Sequence, residues 1–294
     1  MSSNNAAQKV IGIVPLLDTV VELDEGKQFE ARFEECCFDI RVFTEKDENA
    51  VKVVLEVAPQ DGSKYELLVD YFFTVGSDQR YVECDHWKSK ERLQAIPIPP
   101  TSTSITIKFG VNVRQPLIAE DLTIKSHLRY YRLLCAGTTF YINPTQLKPL
   151  QSELFDRIYN DEVSHESCTV IQDLSEADLS LLLNAVAAYS TIVVHARNVY
   201  NLGDIAIQFK IVGVIRSIDA FVRNLKMMHP VRKLELACNY KLTQVADAVV
   251  RSLPRGTGRL ELLHAYLNEN AEREDEQHPD VMALLDVHHD HVVF

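Results

Sequence analysis

The spacing of the apolar residues changes once along this chain, and that change limits the folds open to it. Up to about Arg114 they alternate in short runs with period two, whereas beyond Asn143 they recur at steps of three and four. Period two marks strands with one buried face, and a period near 3.6 marks amphipathic helices. The fold class expected is therefore multidomain α+β: an N-terminal all-β sandwich, an α/β module, then a short helical C-terminal extension.

The strand assignments follow from individual runs. FDIRVFTE (Phe38–Glu45) is one, and Ala50–Val75 reads as two strands around Asp61-Gly62, a hairpin signal. Pro97, Pro99 and Pro100 break the chain ahead of SITIKFGVNV (Ser104–Val113), which starts a fresh strand rich in β-branched residues. Several short strands separated by turn signals predict a β-sandwich. The composition shifts after Arg114, so QPLIAEDLTIKS reads as a connector, and Arg129–Ile142 reads as a hairpin turning at Ala136-Gly137. Within these runs Tyr130-Tyr131 reads as core plus edge, and Asp85-His86-Trp87 as a mixed polar and aromatic surface turn.

The helical half carries clearer punctuation. Ser175 and Asp178 resemble a capping box with Asp in the usual Glu/Gln place, ahead of one apolar face made by Leu179, Leu182, Leu183 and Val186. Asn201–Val222 does not fit one helix. The stripe Leu202, Ile205, Ala206, Phe209 and the stripe Ile211, Val214, Ile215, Ile218, Val222 are out of phase across Lys210, which predicts two short helices and a tight bend. The pattern returns 31 residues later, where Leu236–Val249 echoes Ile205–Ile218. Ala237, Tyr240, Lys241, Leu242 and Val245 stand in the places of Ala206, Phe209, Lys210, Ile211 and Val214. Two copies predict a short helical stack, fewer than a solenoid needs.

Composition narrows the functional classes. Among 294 residues no apolar run approaches the ~18 needed to cross a bilayer, and the N-terminus shows no signal-peptide pattern. A cytoplasmic or nuclear location is expected. The six cysteines include the neighbours Cys36 and Cys37 but no CxxC pair, so they read as reduced, mostly buried thiols. The formal charge is −12, with nine acidic and one basic residue in 261–294, which argues against a nucleic-acid partner. No GxSxG, Walker loop, GxGxxG or HExxH occurs, and glycine is scarce at 10 residues. His288, His289 and His291, with Asp286 and Asp290, have metal-donor chemistry, but neighbouring histidines diverge on a strand, so a polar C-terminal tail is the reading. No catalytic residue, cofactor or metal is assigned.

Three blocks in order carry a resemblance. FYINPTQLKPLQSELFDRIYND, TVIQDLSEADLSLLLNAV and NVYNLGDIAIQFKIVGVIRSIDAFV together are similar to a BTB (POZ) domain. The matching features are Leu147 and Ser152-Glu153-Leu154-Phe155, then Asp173-Leu174, the helix Leu179–Val186, and the helix pair Asn198–Val222. The Asp usual before the first strand is absent from His127–Leu134, Asn143-Pro144 stands where His-Lys is usual, and Tyr189-Ser190 lacks the following Gly. The strand order of the N-terminal half resembles a MATH (meprin and TRAF homology) β-sandwich, without the tryptophans usual in its strands. The implied organisation is a MATH-like sandwich over 1–118, a BTB/POZ domain over 127–225, a BACK-like helix pair over 226–265 and an acidic tail over 266–294.

The resemblance implies a non-enzymatic, homodimeric adaptor that recruits substrates to a cullin-based ubiquitin ligase. The N-terminal domain would then hold an extended peptide or protein substrate. It places candidate cullin-facing residues at Phe155, Tyr159, Val163, His165 and Glu166, with Glu166 one place late in the expected φ-x-Glu pattern. It places a candidate dimer interface at Leu133, Leu134, Tyr141 and Leu147. A dimeric scaffold that has lost cullin binding is the alternative, and the Val163–Glu166 loop discriminates between the two. Neither reading involves nucleic acid or a membrane.

Overall fold

A computed structural model describes residues 13–23, 28–47, 50–60, 65–88, 91–99 and 102–252. The contacts divide it into two units: the residues up to Asp121 together with His195–Arg197, and Leu122–Val194 together with Asn198 onward.

The first unit is an all-β sandwich spanning residues 17–118. Its strands are β1 (Leu17–Glu22), β2 (Glu30–Glu35), β3 (Phe38–Asp47), β4 (Ala50–Pro59), β5 (Tyr65–Val75), β6 (Asp78–Trp87), β7 (Glu91–Ile98) and β8 (Ser104–Ile118). One antiparallel sheet has the order β1-β8-β5-β6, and the other has β2-β3-β4-β7. Alternate residues of both sheets build the core: Phe38, Ile40 and Val42 on β3, Val53, Leu55 and Val57 on β4, Val69, Tyr71 and Phe73 on β5, and Ile105, Ile107 and Phe109 on β8. This is the period two of the sequence turned into packing.

Two details differ from the sequence reading. The strands flanking Asp61-Gly62 do not form a hairpin, because β4 pairs with β3 and β7 while β5 pairs with β6 and β8. The chain changes sheet there, although residues 61–64 themselves lie outside those described. The supposed connector after Arg114 begins as strand, since the 11-residue β5 holds β8 as far as the pair Tyr65↔Ile118. Pro116 is tolerated because β1 pairs with β8 only over Ser104–Phe109. Pro97 lies inside β7, an edge strand, a place in a sheet that suits proline.

The second unit opens with the predicted hairpin of β9 (Tyr131–Cys135) and β10 (Thr138–Ile142). Ala136 and Gly137 both take positive φ, 48° and 93°, as a two-residue I′ turn requires. Helix α1 (Pro144–Leu147), a 3-10 turn (Lys148–Leu150) and α2 (Glu153–Val163) follow. Strand β11 (Cys168–Val170) then pairs parallel to β9, giving the order β10-β9-β11. The helix α3 (Glu176–Val186) is capped by Ser175, whose Oγ accepts the Asp178 N–H. Asp178 is too short to complete the box on the backbone and instead accepts from the Ser175 hydroxyl.

The helix pairs are α4 (Val199–Gln208) with α5 (Val212–Asn224), and α6 (Pro230–Tyr240) with α7 (Thr243–Ser252). Each bend is made the same way. Lys210 and Lys241 sit in the left-handed region at φ 51° and 56°, and the next N–H returns to an alanine carbonyl, Ile211 to Ala206 and Leu242 to Ala237. This is a Schellman-type stop with lysine where glycine is usual. The echo in sequence is therefore an echo in backbone geometry. Ala206, Ile211, Val214 and Ile218 are buried in the first copy, and Ala237, Leu242, Val245 and Val249 in the second. The far part of the proposed helical extension, the acidic tail and the His288–His291 group lie outside the described residues.

Candidate functional site

Helix α2 starts from a buried cap. The Ser152 hydroxyl accepts the Leu154 N–H at 3.2 Å and donates to the Phe209 carbonyl at 3.0 Å, tying the start of α2 to the bend between α4 and α5. Four residues of α2 then divide by face. Leu154, Phe155 and Ile158 enter the core, while Tyr159 is half-buried with the Lys148 ammonium 4.0 Å above its ring.

The helix ends at Val163, which is 55% exposed. The Ser164 N–H donates to the Asn160 carbonyl and the His165 N–H to the Glu162 carbonyl, and His165 turns the chain at φ 63°. Glu166 is exposed at its side chain, while its N–H donates to the Asp161 carbonyl. Both flanks of this segment are fixed. Tyr130 donates its hydroxyl to Glu162 Oε1 at 3.1 Å, and the Thr169 hydroxyl donates to Asp161 Oδ2 at 2.6 Å with the Tyr131 hydroxyl 2.9 Å away. Tyr131 is core, as expected, while Tyr130 is exposed and precedes β9 rather than lying on a strand edge. The structure thus brings Val163, His165 and Glu166 to the C-terminal end of α2, leaves Tyr159 half-buried one turn earlier and places Phe155 inside.

The candidate interface residues divide in the same way. Leu133 and Leu147 are wholly buried, whereas Leu134 and Tyr141 lie on the other face of the small sheet. The register sets Val170 beside Leu134, and Cys168 and Tyr141 beside Arg132. That outer face therefore carries Leu134, Tyr141 and Val170, the last 52% exposed. Val170 escaped the sequence reading. Period two alone would turn the apolar Cys168 and Val170 inward, whereas the polar Thr169 is the buried residue of β11.

No protein-family model matches the chain, and no curated protein matches it.

The first unit holds a polar cluster that the sequence reading placed on a surface turn. Asp85, His86 and Trp87 end the strand β6 and are all buried. They survive burial because each finds a partner. The Trp87 indole N–H donates to Asp85 Oδ2 at 3.2 Å, and His86 Nε2 lies 2.7 Å from Glu66 Oε2. Arg197, in the same unit, donates from Nε to Asp85 Oδ1 at 2.5 Å and from an Nη to Oδ2 at 2.9 Å. His195 lies with its ring centroid 4.6 Å from that of His86. Burial, with His86, Arg197 and Lys88 nearby, pushes the His195 imidazole down to about 3. A neutral imidazole and carboxylates already held by arginine, histidine and indole make a structural staple. Among the described residues no group of three or more His, Cys, Asp and Glu side chains is placed to hold a metal. No described helix is long and apolar enough to cross a membrane.

Proposed function

We propose that this chain is a non-enzymatic protein-interaction adaptor, a dimeric BTB-type subunit that recruits substrates to a cullin-based ubiquitin ligase. The single observation that carries the reading is the end of α2. An exposed valine, a left-handed histidine and an exposed glutamate follow one another on a segment whose two flanks are hydrogen-bonded into the fold. A preformed apolar and acidic knob of this kind costs little ordering entropy on docking. The resemblance of the three sequence blocks to a BTB domain supplies the partner class, and the β-sandwich supplies a surface for an extended peptide.

The test is a binding titration of the full chain with a cullin N-terminal domain. Binding in the micromolar range or tighter is expected, with Val163→Asp and Glu166→Lys each weakening it at least tenfold, or about 1.4 kcal/mol. No binding at high micromolar concentration overturns the ligase reading and leaves the dimeric scaffold.

Dimerisation is tested separately. The outer face of β9, β10 and β11 would be covered by a second copy, removing Leu134, Tyr141 and Val170 from water. Light scattering at tens of micromolar is expected to give twice the 33.4 kDa chain mass. Val170→Asp is expected to shift the population toward the monomer. A wild-type monomer at that concentration sinks the dimer.

A further inference from the structure

The sequence reading had the six cysteines as mostly buried, and for one pair the structure says otherwise. Cys84 and Cys135 are buried, and Cys168 and Cys238 are half-buried on β11 and α6, but Cys36 and Cys37 are both exposed. They form the entire two-residue turn between β2 and β3, between the paired residues Glu35 and Phe38. Their φ values are 47° and 66°, so the turn is of the I′ class, whose usual occupants are Asn and Gly. Thiols on two neighbouring residues thus stand at a hairpin tip, next to the Glu35 carboxylate, which accepts a hydrogen bond from the Cys36 thiol at 3.7 Å.

The geometry restricts what such a pair can do. Neighbouring Cα atoms across a trans peptide are about 3.8 Å apart, below the roughly 4.4–6.8 Å that disulfides span. The register on both sides of the turn, and the Gln60 N–H donated to the Cys37 carbonyl at 2.9 Å, hold that backbone in place. Direct S–S closure is therefore disfavoured. A bridging atom larger than carbon, inserted between the sulfurs, widens the ring and removes the conflict. Partial desolvation at the otherwise exposed turn, and secondarily the Glu35 charge, raise the Cys36 thiol, which favours its protonated form. That disfavours attack on peroxides, which uses the thiolate. It does not hinder a condensation that consumes S–H groups and releases water.

We infer that the Cys36–Cys37 turn is a dithiol capture site for a trivalent arsenical. In the reaction with an arylarsenic(III) oxide two As–S bonds form. The oxide oxygen leaves as one water carrying both thiol protons, and arsenic stays trivalent, so no oxidant or reductant is required.

The probe is phenylarsine oxide added to the full chain. Intact mass is expected to show one arsenical per chain less one water, and thiol titration to lose two groups. A dithiol reverses the adduct and a monothiol at the same concentration does not. Cys36→Ser and Cys37→Ser are each expected to bind about 100-fold more weakly, since the second bond of a chelate forms at high effective concentration. The double variant C36N/C37G supplies preferred turn residues, keeps the hairpin, and is expected to take up no arsenical while its circular dichroism is unchanged. Uptake at wild-type affinity by C36N/C37G overturns the assignment. So does wild-type affinity no tighter than that of the single variants.

Discussion

Asp219→Ala is expected to lower the unfolding free energy by about 2–4 kcal/mol, measured by urea denaturation of the full chain. Asp219 is buried on α5, yet its carboxylate serves α7. Its Oδ2 accepts the Gln244 N–H at 3.1 Å and its Oδ1 accepts the Val245 N–H at 2.9 Å. The Leu242 carbonyl accepts the first helical bond of α7, from Ala246, so Leu242 occupies the cap position with a side chain that accepts nothing. Asp219 fills that role from another helix and adds a negative charge at the positive end of the α7 dipole. Alanine would strand two N–H groups next to the buried Val245 and leave a small cavity. Asp219→Asn keeps one acceptor and is expected to cost about half as much. If Asp219→Ala unfolds within 0.5 kcal/mol of wild type, the tertiary cap has no energetic role.

Gly203→Ala is expected to have a sign that depends on position 240. A Cβ at Gly203 on α4 would stand 2.7–2.8 Å from three ring atoms of Tyr240. The Tyr240 hydroxyl shares its one proton between the Tyr200 carbonyl and Asp204 Oδ1, both at 3.1 Å, which pins the ring over α4. Overpacking of this kind costs about 1–3 kcal/mol, whereas alanine in a free helix position gains roughly 1 kcal/mol over glycine. Gly203→Ala should therefore destabilise the wild type and stabilise the Tyr240→Ala background, itself about 3–5 kcal/mol less stable than wild type. The propensity gain is common to both backgrounds, so the double-mutant cycle is expected to show the overpacking cost as coupling, about 1–3 kcal/mol. Additive effects would mean that the ring does not rest on the glycine.

The same positions show what a sequence makes legible. Both bends were visible at Lys210 and Lys241 because a phase break in an apolar stripe is local information. The Ala136-Gly137 turn was visible because glycine suits positive φ. The Asp61-Gly62 signal was read as a hairpin and the pairing overturns it, because pairing is a long-range property, and nothing in two adjacent apolar runs says which sheet each will join. Asp85, His86 and Trp87 looked like surface because their burial depends on Glu66 and Arg197, which are remote in sequence. Phe155 and Val163 lie on one helix, and the motif that named them carries no account of which face is core. The Cys36-Cys37 turn was hidden because cysteine is not a turn residue by habit.

The cap that Asp219 lends to α7 also sets an order of assembly. The carboxylate and the N–H groups it serves are 25 and 26 residues apart. Until α5 is formed and in place, the first turn of α7 lacks its acceptor and has only a marginal helix's own cooperativity behind it. Once α5 is there, the second pair condenses on a surface that already holds its missing charge. During synthesis from the N-terminus that surface leaves the ribosome first, ahead of the helix pair it caps.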